Sequence, residues 1–379
     1  MPSTAICCLF ILCASLVANT STPAVSPAEI SIRKAQQDIA RQPEHYPYYN
    51  ALAMAYARRA RETSDVAWYG KAEETLQRSF AISPDNYEGL KVKTWLLLGR
   101  HEFAKALVVA KDLNQRTPDD VTVYGYLADA NAELGNYADA VAAAQWMLDL
   151  RPGNVAGLTR AAYLRELHGD LPGALELMQM AYDATPYHEF EDRAWLLTQR
   201  AHLHLIAGNL DQAETFARGA LELFPNYHYA LGTLGQIRTA QSRFEEAAEF
   251  FEKRYAAAPH AENLYAFAEA LERAGRHSEA DASFALFEQK ALAESTLADN
   301  ANHELIAYYA DYAKQPAKAL HLAEQELARR HDVFTLDAHA WSLAASGDYA
   351  EAQSEIRRAL AIGVKDPKLL DHARLIAAR

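Results

Sequence analysis

The sequence predicts an all-α repeat array, a solenoid of about nine stacked units, on three observations. Prolines recur at Pro84, Pro118, Pro152 and Pro186, three successive intervals of 34 residues. A second series keeps the same phase: Gly135, Gly169, Gly208, Gly275 and Gly347 each precede an alanine by five residues, namely Ala140, Ala174, Ala213, Ala280 and Ala352. Composition agrees, since 14 Pro and 16 Gly in 379 residues leave room for long helices. A sustained period of this length marks units that cannot bury an apolar face alone and do so by stacking.

The chain opens on an address rather than a repeat. Residues Ala5 to Ala18 form an apolar run that contains Cys7, Cys8 and Cys13, the only cysteines, and no charged side chain precedes Glu29. The run has the length of a secretory signal core and is short for a bilayer span. Small residues follow, so residues 1–18 read as a signal peptide and export to a periplasmic or extracellular space is expected. Retention of the segment as an anchor, or lipidation at Cys13 behind Leu12, are the alternatives, and the only membrane contacts expected. Removal would leave a chain without cysteine, with no disulfide, thiolate nucleophile or cysteine-based zinc site.

Residues 19–45 read as a linker and an N-capping helix. Ser26-Pro27-Ala28-Glu29 has the form of a capping box with proline at the first helical position, starting a helix that runs to about Gln42. The repeat array follows over residues 46–364. Its first unit carries Tyr49, Leu52, Ala53 and Tyr56, then Ala72, Leu76 and Pro84. The sixth carries Leu231, Leu234 and Gly235, then Ala247, Phe251 and Pro259. The seventh carries Leu264, Phe267, Ala268 and Leu271, then Ala280 and Phe284. The last carries Leu336, His339, Ala340 and Leu343, then Ala352, Ile356 and Ala359, with Val364 in place of the proline. Intervals longer than 34 mark insertions near residues 61–69 and 187–193. Asp366-Pro367 starts a final helix within residues 365–379 that caps the last unit.

These residues resemble the tetratricopeptide repeat, a 34-residue helix–turn–helix unit with the pattern W-x2-L-G-x2-Y, A-x3-F and P. The resemblance covers residues 46 to about 364 and implies a right-handed superhelix of roughly one turn, with one capping helix, eighteen repeat helices and a second cap. The small alanines fall where the two helices of a unit cross, glycines such as Gly135 end first helices in a left-handed conformation, and the prolines close second helices. The eighth unit, residues 300–330, departs most, with Gln315-Pro316 at its turn and Arg329-Arg330 where the proline would fall. Together with the long Gln289–Asp299 junction, it is the expected soft point.

In the resembled family the first helices line a concave binding face. Carrying the register over, the lining expected from the N-terminal units includes Lys91 and Trp95, beside Asn50 and Arg58. The middle units supply Asp129, Glu133, Tyr163, Glu166, Trp195 and His202, with Thr198 among them. The C-terminal units supply Tyr265, Glu269, Glu304, Tyr308, Asp311, Tyr312 and Trp341. This lining is acidic and aromatic. Lys91 and Arg58 do not rebuild the Lys/Arg/Asn clamp with which co-chaperone members hold a carboxyl terminus, so a basic or neutral extended protein segment is the expected ligand, or sugar rings stacked on Trp and Tyr. Packing of these aromatics against neighbouring first helices is the structural alternative. The insertion Tyr187–Arg193 reads as a solvated turn, a partner contact or a weak cation site, and Arg61–Tyr69, with Trp68 and Tyr69, as a lid over the end of the core.

Net charge is −13, from 37 basic and 50 acidic residues, which speaks against a nucleic-acid partner. No HExxH, glycine-rich phosphate loop or G-x-S-x-G elbow occurs, and His202 and His204, two apart on a helix, face different ways. No catalytic residue, metal or cofactor is expected. The sequence therefore predicts an exported, non-catalytic protein-interaction scaffold, with an envelope polysaccharide export or assembly component as the alternative. Salt dependence separates the two, because capture of a basic peptide weakens with salt and stacking on neutral sugars does not.

Overall fold

The computed structural model describes residues 26–63 and 65–379, so the leader reading of residues 1–18 lies outside the described residues. Every regular element among them is helical. A capping helix, α1 (Pro27–Arg41), precedes nine helical pairs. They are α2 (Tyr46–Thr63) with α3 (Ala67–Ile82), α4 (Tyr87–Gly99) with α5 (Phe103–Arg116), and α6 (Val121–Glu133) with α7 (Tyr137–Leu150). Next come α8 (Val155–Leu167) with α9 (Leu171–Ala184), α10 (Phe190–Ile206) with α11 (Leu210–Leu223), and α12 (His228–Ala240) with α13 (Phe244–Ala257). The last three are α14 (Ala261–Arg273) with α15 (His277–Glu294), α16 (Asn302–Ala307) with α17 (Pro316–Leu327), and α18 (Val333–Ala345) with α19 (Tyr349–Leu360). A final helix, α20 (Pro367–Ala377), ends the array. The count of one, eighteen and one matches the expectation.

The repeat residues do what their chemistry predicts. Ala72, Ala106, Ala140, Ala174, Ala213, Ala247, Ala280, Ala319 and Ala352, one per unit, are fully buried. Each helical pair can close to small-residue distance at that point. The turn inside the third unit puts Gly135 at φ +80°, and His101, Ser242 and Lys314 take the same left-handed conformation in units that lack the glycine. At the N-terminus, Ser26 Oγ accepts from Glu29 N at 3.0 Å. The return half of the box is absent: Glu29 instead reaches Arg59 at 2.6 Å. Fully buried Glu62 ties the cap to α2 by accepting from Ala28 N at 3.1 Å.

The two insertions behave differently from each other. Within residues 187–193, Tyr187 and His188 form the expected exposed turn, but the acids are not a free site. Phe190 already starts α10, and Glu189, Glu191 and Asp192 turn inward to Arg58 and Arg61 of α2. A guanidinium pair four units away neutralises them. Around residues 61–69, α2 continues to Thr63, and Trp68 stacks on Tyr56 with centroids 5.6 Å apart over the N-terminal core, as a lid would. In the eighth unit, α16 gives way after six residues to a π-helical turn, Tyr308–Tyr312.

The array also closes on itself. His101, in the turn of the second unit, lies 3.5 Å from Asp299 after the seventh. In the third unit, Tyr137 Oη accepts from Val333 N at 2.8 Å, and a Cβ on Gly135 would come within 2.5 Å of the His331 carbonyl oxygen. In the fourth, a Cβ on Gly169 would collide with the Gly363 carbonyl oxygen. Three successive turns thus rest on the junctions about six units further on. The seam is continuous with the apolar core, since Tyr126, Leu164, Leu336 and Leu369 belong to one buried cluster.

Candidate functional site

Closure converts the concave face from an open groove into an interior. A cavity of about 1000 Å³ runs between α1 and the first helices α2, α4, α6, α8 and α10. Its apolar wall is built from Met54, Trp95, Leu98 and Leu164, with Tyr48 and Tyr163 adding phenols. A second, more polar space of about 1240 Å³ follows the seam, between the α4–α5 turn and the α15–α16 junction.

Most charges on the inner wall are already matched. Arg160 donates to Asp129 Oδ2 at 2.5 Å and to the Gly125 and Ala156 carbonyls, so it is anchored at three points. Arg58 donates to Glu189 at 2.6 Å, and Arg61 joins Glu191 and Asp192. Glu191 has no exposed side-chain surface and also accepts from Tyr227 Oη at 2.8 Å. His202 Nε2 lies 2.9 Å from Glu166; burial by itself lowers the imidazole's affinity for a proton, but that carboxylate more than compensates and raises its pKa.

Glu133 stands apart, and exposed Lys34 of α1 also lines the cavity without a carboxylate partner among the described residues. Glu133 makes no hydrogen bond to the described residues, and its nearest cation, Arg330, is 3.8 Å away. Arg330 is itself shared with Asp332 at 3.5 Å and, more loosely, with Glu326 at 4.0 Å, which also has Arg329 at 3.0 Å. Desolvation first, then the Asp332 and Asp129 charges, raise the Glu133 carboxyl to about 7 in spite of Arg330. Its side chain keeps 31% of its surface, which faces the cavity while protein surrounds it on the other sides. Beside it stands Tyr163, whose hydroxyl has no hydrogen-bond partner among the described residues and whose pKa burial drives well up.

The predicted lining divides accordingly. Trp95, Asp129, Glu133 and Tyr163 come together on one wall of the cavity. Lys91 lies outside it, donating to Asp120 at 2.8 Å. Trp195 packs between the apolar clusters of the fourth and fifth units. Thr198 is buried and donates to the Ala194 carbonyl, and Asn50 is buried against Ser79 and Asn86, so neither faces the interior. Most of the C-terminal aromatics pack against one another or against neighbouring helices. Tyr265 is buried against Phe284 and Phe287. Tyr308 stacks on Phe284, and Tyr312 donates to Glu269 at 3.3 Å. Trp341 donates to Asp311 at 2.8 Å and stacks on His372 at 4.1 Å. Glu304 is half-buried, its pKa raised by desolvation and then by Glu262.

Sequence reading did not find Arg160, Met54, Leu98 or Arg330. Arg160 and Leu98 sit on first helices and could be reached by extending the register. Arg330 reaches the site only through closure, which no local signal carries. Among the described residues no group of three His, Cys, Asp or Glu is placed to hold a metal ion, and no helix is long and apolar enough to cross a membrane.

A family model described as Tetratricopeptide repeat matches residues 95–155, 126–189 and 198–262. Among solved structures, a chain of the APC/C hetero-tetramer Cut9-Hcn1 superposes with a TM-score of 0.51 at 13% identity, over 91% of this chain and 59% of that one. The present chain therefore spans less than two thirds of that protein's length. The human IFIT1 dimer with PPP-AAAA gives 0.53 at 14% identity, over 89% of this chain and 95% of that one. An IFIT1 monomeric mutant with Gppp-AAAA gives 0.55 at 14% identity, over 89% and 87%. At such identities the likeness is one of fold. No curated protein sequence matches the chain.

Proposed function

The chain belongs to the tetratricopeptide-repeat family, and from that premise we propose that it is an exported, non-catalytic scaffold that takes an extended protein segment into its enclosed concave face. Scaffolding of protein partners is what the repeat fold itself suggests. The finer reading rests on one observation: the interior holds an apolar and aromatic cavity of about 1000 Å³ while most neighbouring charges are matched within the chain. Sites of that size and lining take apolar side chains with a few polar anchors. The apolar run Ala5 to Ala18 supports export.

A protein segment fits this lining better than a sugar chain. Tyr308, Tyr312 and Trp341 have faces occupied by Phe284 or His372, which removes them as stacking platforms. The aromatics on the cavity wall are Tyr48, Tyr69, Trp95, Phe103 and Tyr163, none of them from the C-terminal units.

Photo-crosslinking tests the reading. A benzoylphenylalanine in place of Tyr163 should capture the partner in envelope extracts, and one in place of Trp146, half-exposed on a second helix, should not. Capture from Trp146 alone would place binding on the outer surface and defeat the proposal.

A further inference from the structure

We propose that the wall formed by Glu133, Tyr163 and Trp95 is a pocket for one cationic group, a primary ammonium or guanidinium carried on an apolar stem. The inference deepens the reading of the interior as a segment-binding site, and rests on it. Three observations carry it. Charge around Glu133 is thinly matched: its nearest cation, Arg330 at 3.8 Å, also meets Asp332 at 3.5 Å, while Glu326 has Arg329 at 3.0 Å and Asp129 has Arg160. Among the described residues the Glu133 carboxylate accepts no hydrogen bond, and the Tyr163 hydroxyl on the cavity wall has no partner. Trp95 and Tyr163 supply aromatic faces, and Met54, Leu98 and Leu164 an apolar channel leading away from them.

Such a wall is incomplete without a cation. An ammonium beside Glu133 gains a carboxylate partner in a poorly solvated setting, where charge-assisted hydrogen bonds are strong, and aromatic rings add cation–π attraction. The methylene stem of a lysine or arginine suits the apolar channel. A wholly apolar ligand would leave Glu133 with only Arg330, at 3.8 Å, as its nearest cation. The groups facing Glu133 are Asp129 on its own helix, Tyr137 on α7, Tyr163 on α8, and Arg330 and Asp332 across the seam. Since the free carboxyl titrates near pH 7, cation binding draws it to the ionised form, and affinity should rise with pH through about 7 and then level off.

The test uses the full-length protein, Trp fluorescence and calorimetry, and three probes: an acetylated Leu-Leu-Lys-Leu-Leu amide, the same peptide with norleucine replacing lysine, and cadaverine. The lysine peptide should bind roughly tenfold or more tighter than the norleucine peptide at pH 8, with the preference shrinking by pH 5.5. Glu133→Gln should abolish the preference while leaving norleucine binding and the melting temperature of a folded protein intact. Cadaverine binding as tightly as the lysine peptide would assign the pocket to a small diamine, supporting the cation site and overturning the segment as its source. Equal binding of both peptides, or a preference that survives Glu133→Gln, overturns the cation pocket while leaving the segment-binding reading standing. If neither peptide nor cadaverine binds, that reading fails together with this one.

Discussion

At the residue scale, the interior is organised by a few long side chains that reach across it. Arg61 on α2 joins Glu191 and Asp192 at the start of α10, and Glu191 is completely enclosed. The long arginine side chains of the first unit are what make the acids of residues 189–192 structural rather than available. Truncating Arg61 strands a buried carboxylate with only Tyr227 for company. Arg61→Ala should therefore lower stability by about 3–5 kcal/mol in denaturant unfolding, the range for breaking one side of a buried ion pair. Arg61→Ala combined with Glu191→Gln should recover part of that loss, because the double variant no longer buries an unpaired charge. Additive losses in the two variants would mean that the two groups do not act as a pair.

At the scale of single elements, the account is a matter of register. The fully buried alanine of each unit sits where its two helices cross, and the position is the same in units that keep the turn glycine and in units that have His101 or Ser242 instead. Ala140→Leu or Ala213→Leu should each cost on the order of 1–3 kcal/mol through overpacking, measured as a shift in denaturation midpoint with little change in slope. A melt indifferent to both would show the crossing to lie elsewhere. This level was legible in the sequence because it depends on residues close in the chain. Period, small-residue sites, turn glycines and both capping helices could all be read from Pro84, Gly135, Ala140, Ser26 and their counterparts. The non-glycine turns were less visible, since His101, Ser242 and Lys314 adopt left-handed backbone without the residue that advertises it. The eighth unit was expected to be irregular, and its π-helical turn at Tyr308–Tyr312 is the form the irregularity takes.

At the scale of the whole molecule, the small rotation from each unit to the next accumulates until the second, third and fourth units meet the ends of the seventh, eighth and ninth. No local pattern encodes that meeting, which is why Glu133 could be assigned to the concave face from its register while its neighbour Arg330, about six units away, could not. Closure also explains why the C-terminal aromatics differ from Trp95 and Tyr163. Tyr308, Tyr312 and Trp341 are engaged by their neighbours, and the unfilled space lies on the N-terminal side, under α1. Entry of a segment into that space would proceed through the open ends of the interior, because parting the seam would break the apolar cluster that Tyr126 and Leu164 form with Leu336 and Leu369.

The interior site and the meeting of Glu133 with Arg330 both follow from closure, so closure is the claim to measure first. Spin labels on cysteines replacing exposed Lys105 and Thr296, which face each other across the seam space, in a chain whose Cys7, Cys8 and Cys13 are changed to serine, report it directly by pulsed electron resonance. The account predicts one narrow distribution at short distance. A broad distribution reaching to long distances would contradict it, because the two turns would then part in solution and the concave face would be an open groove.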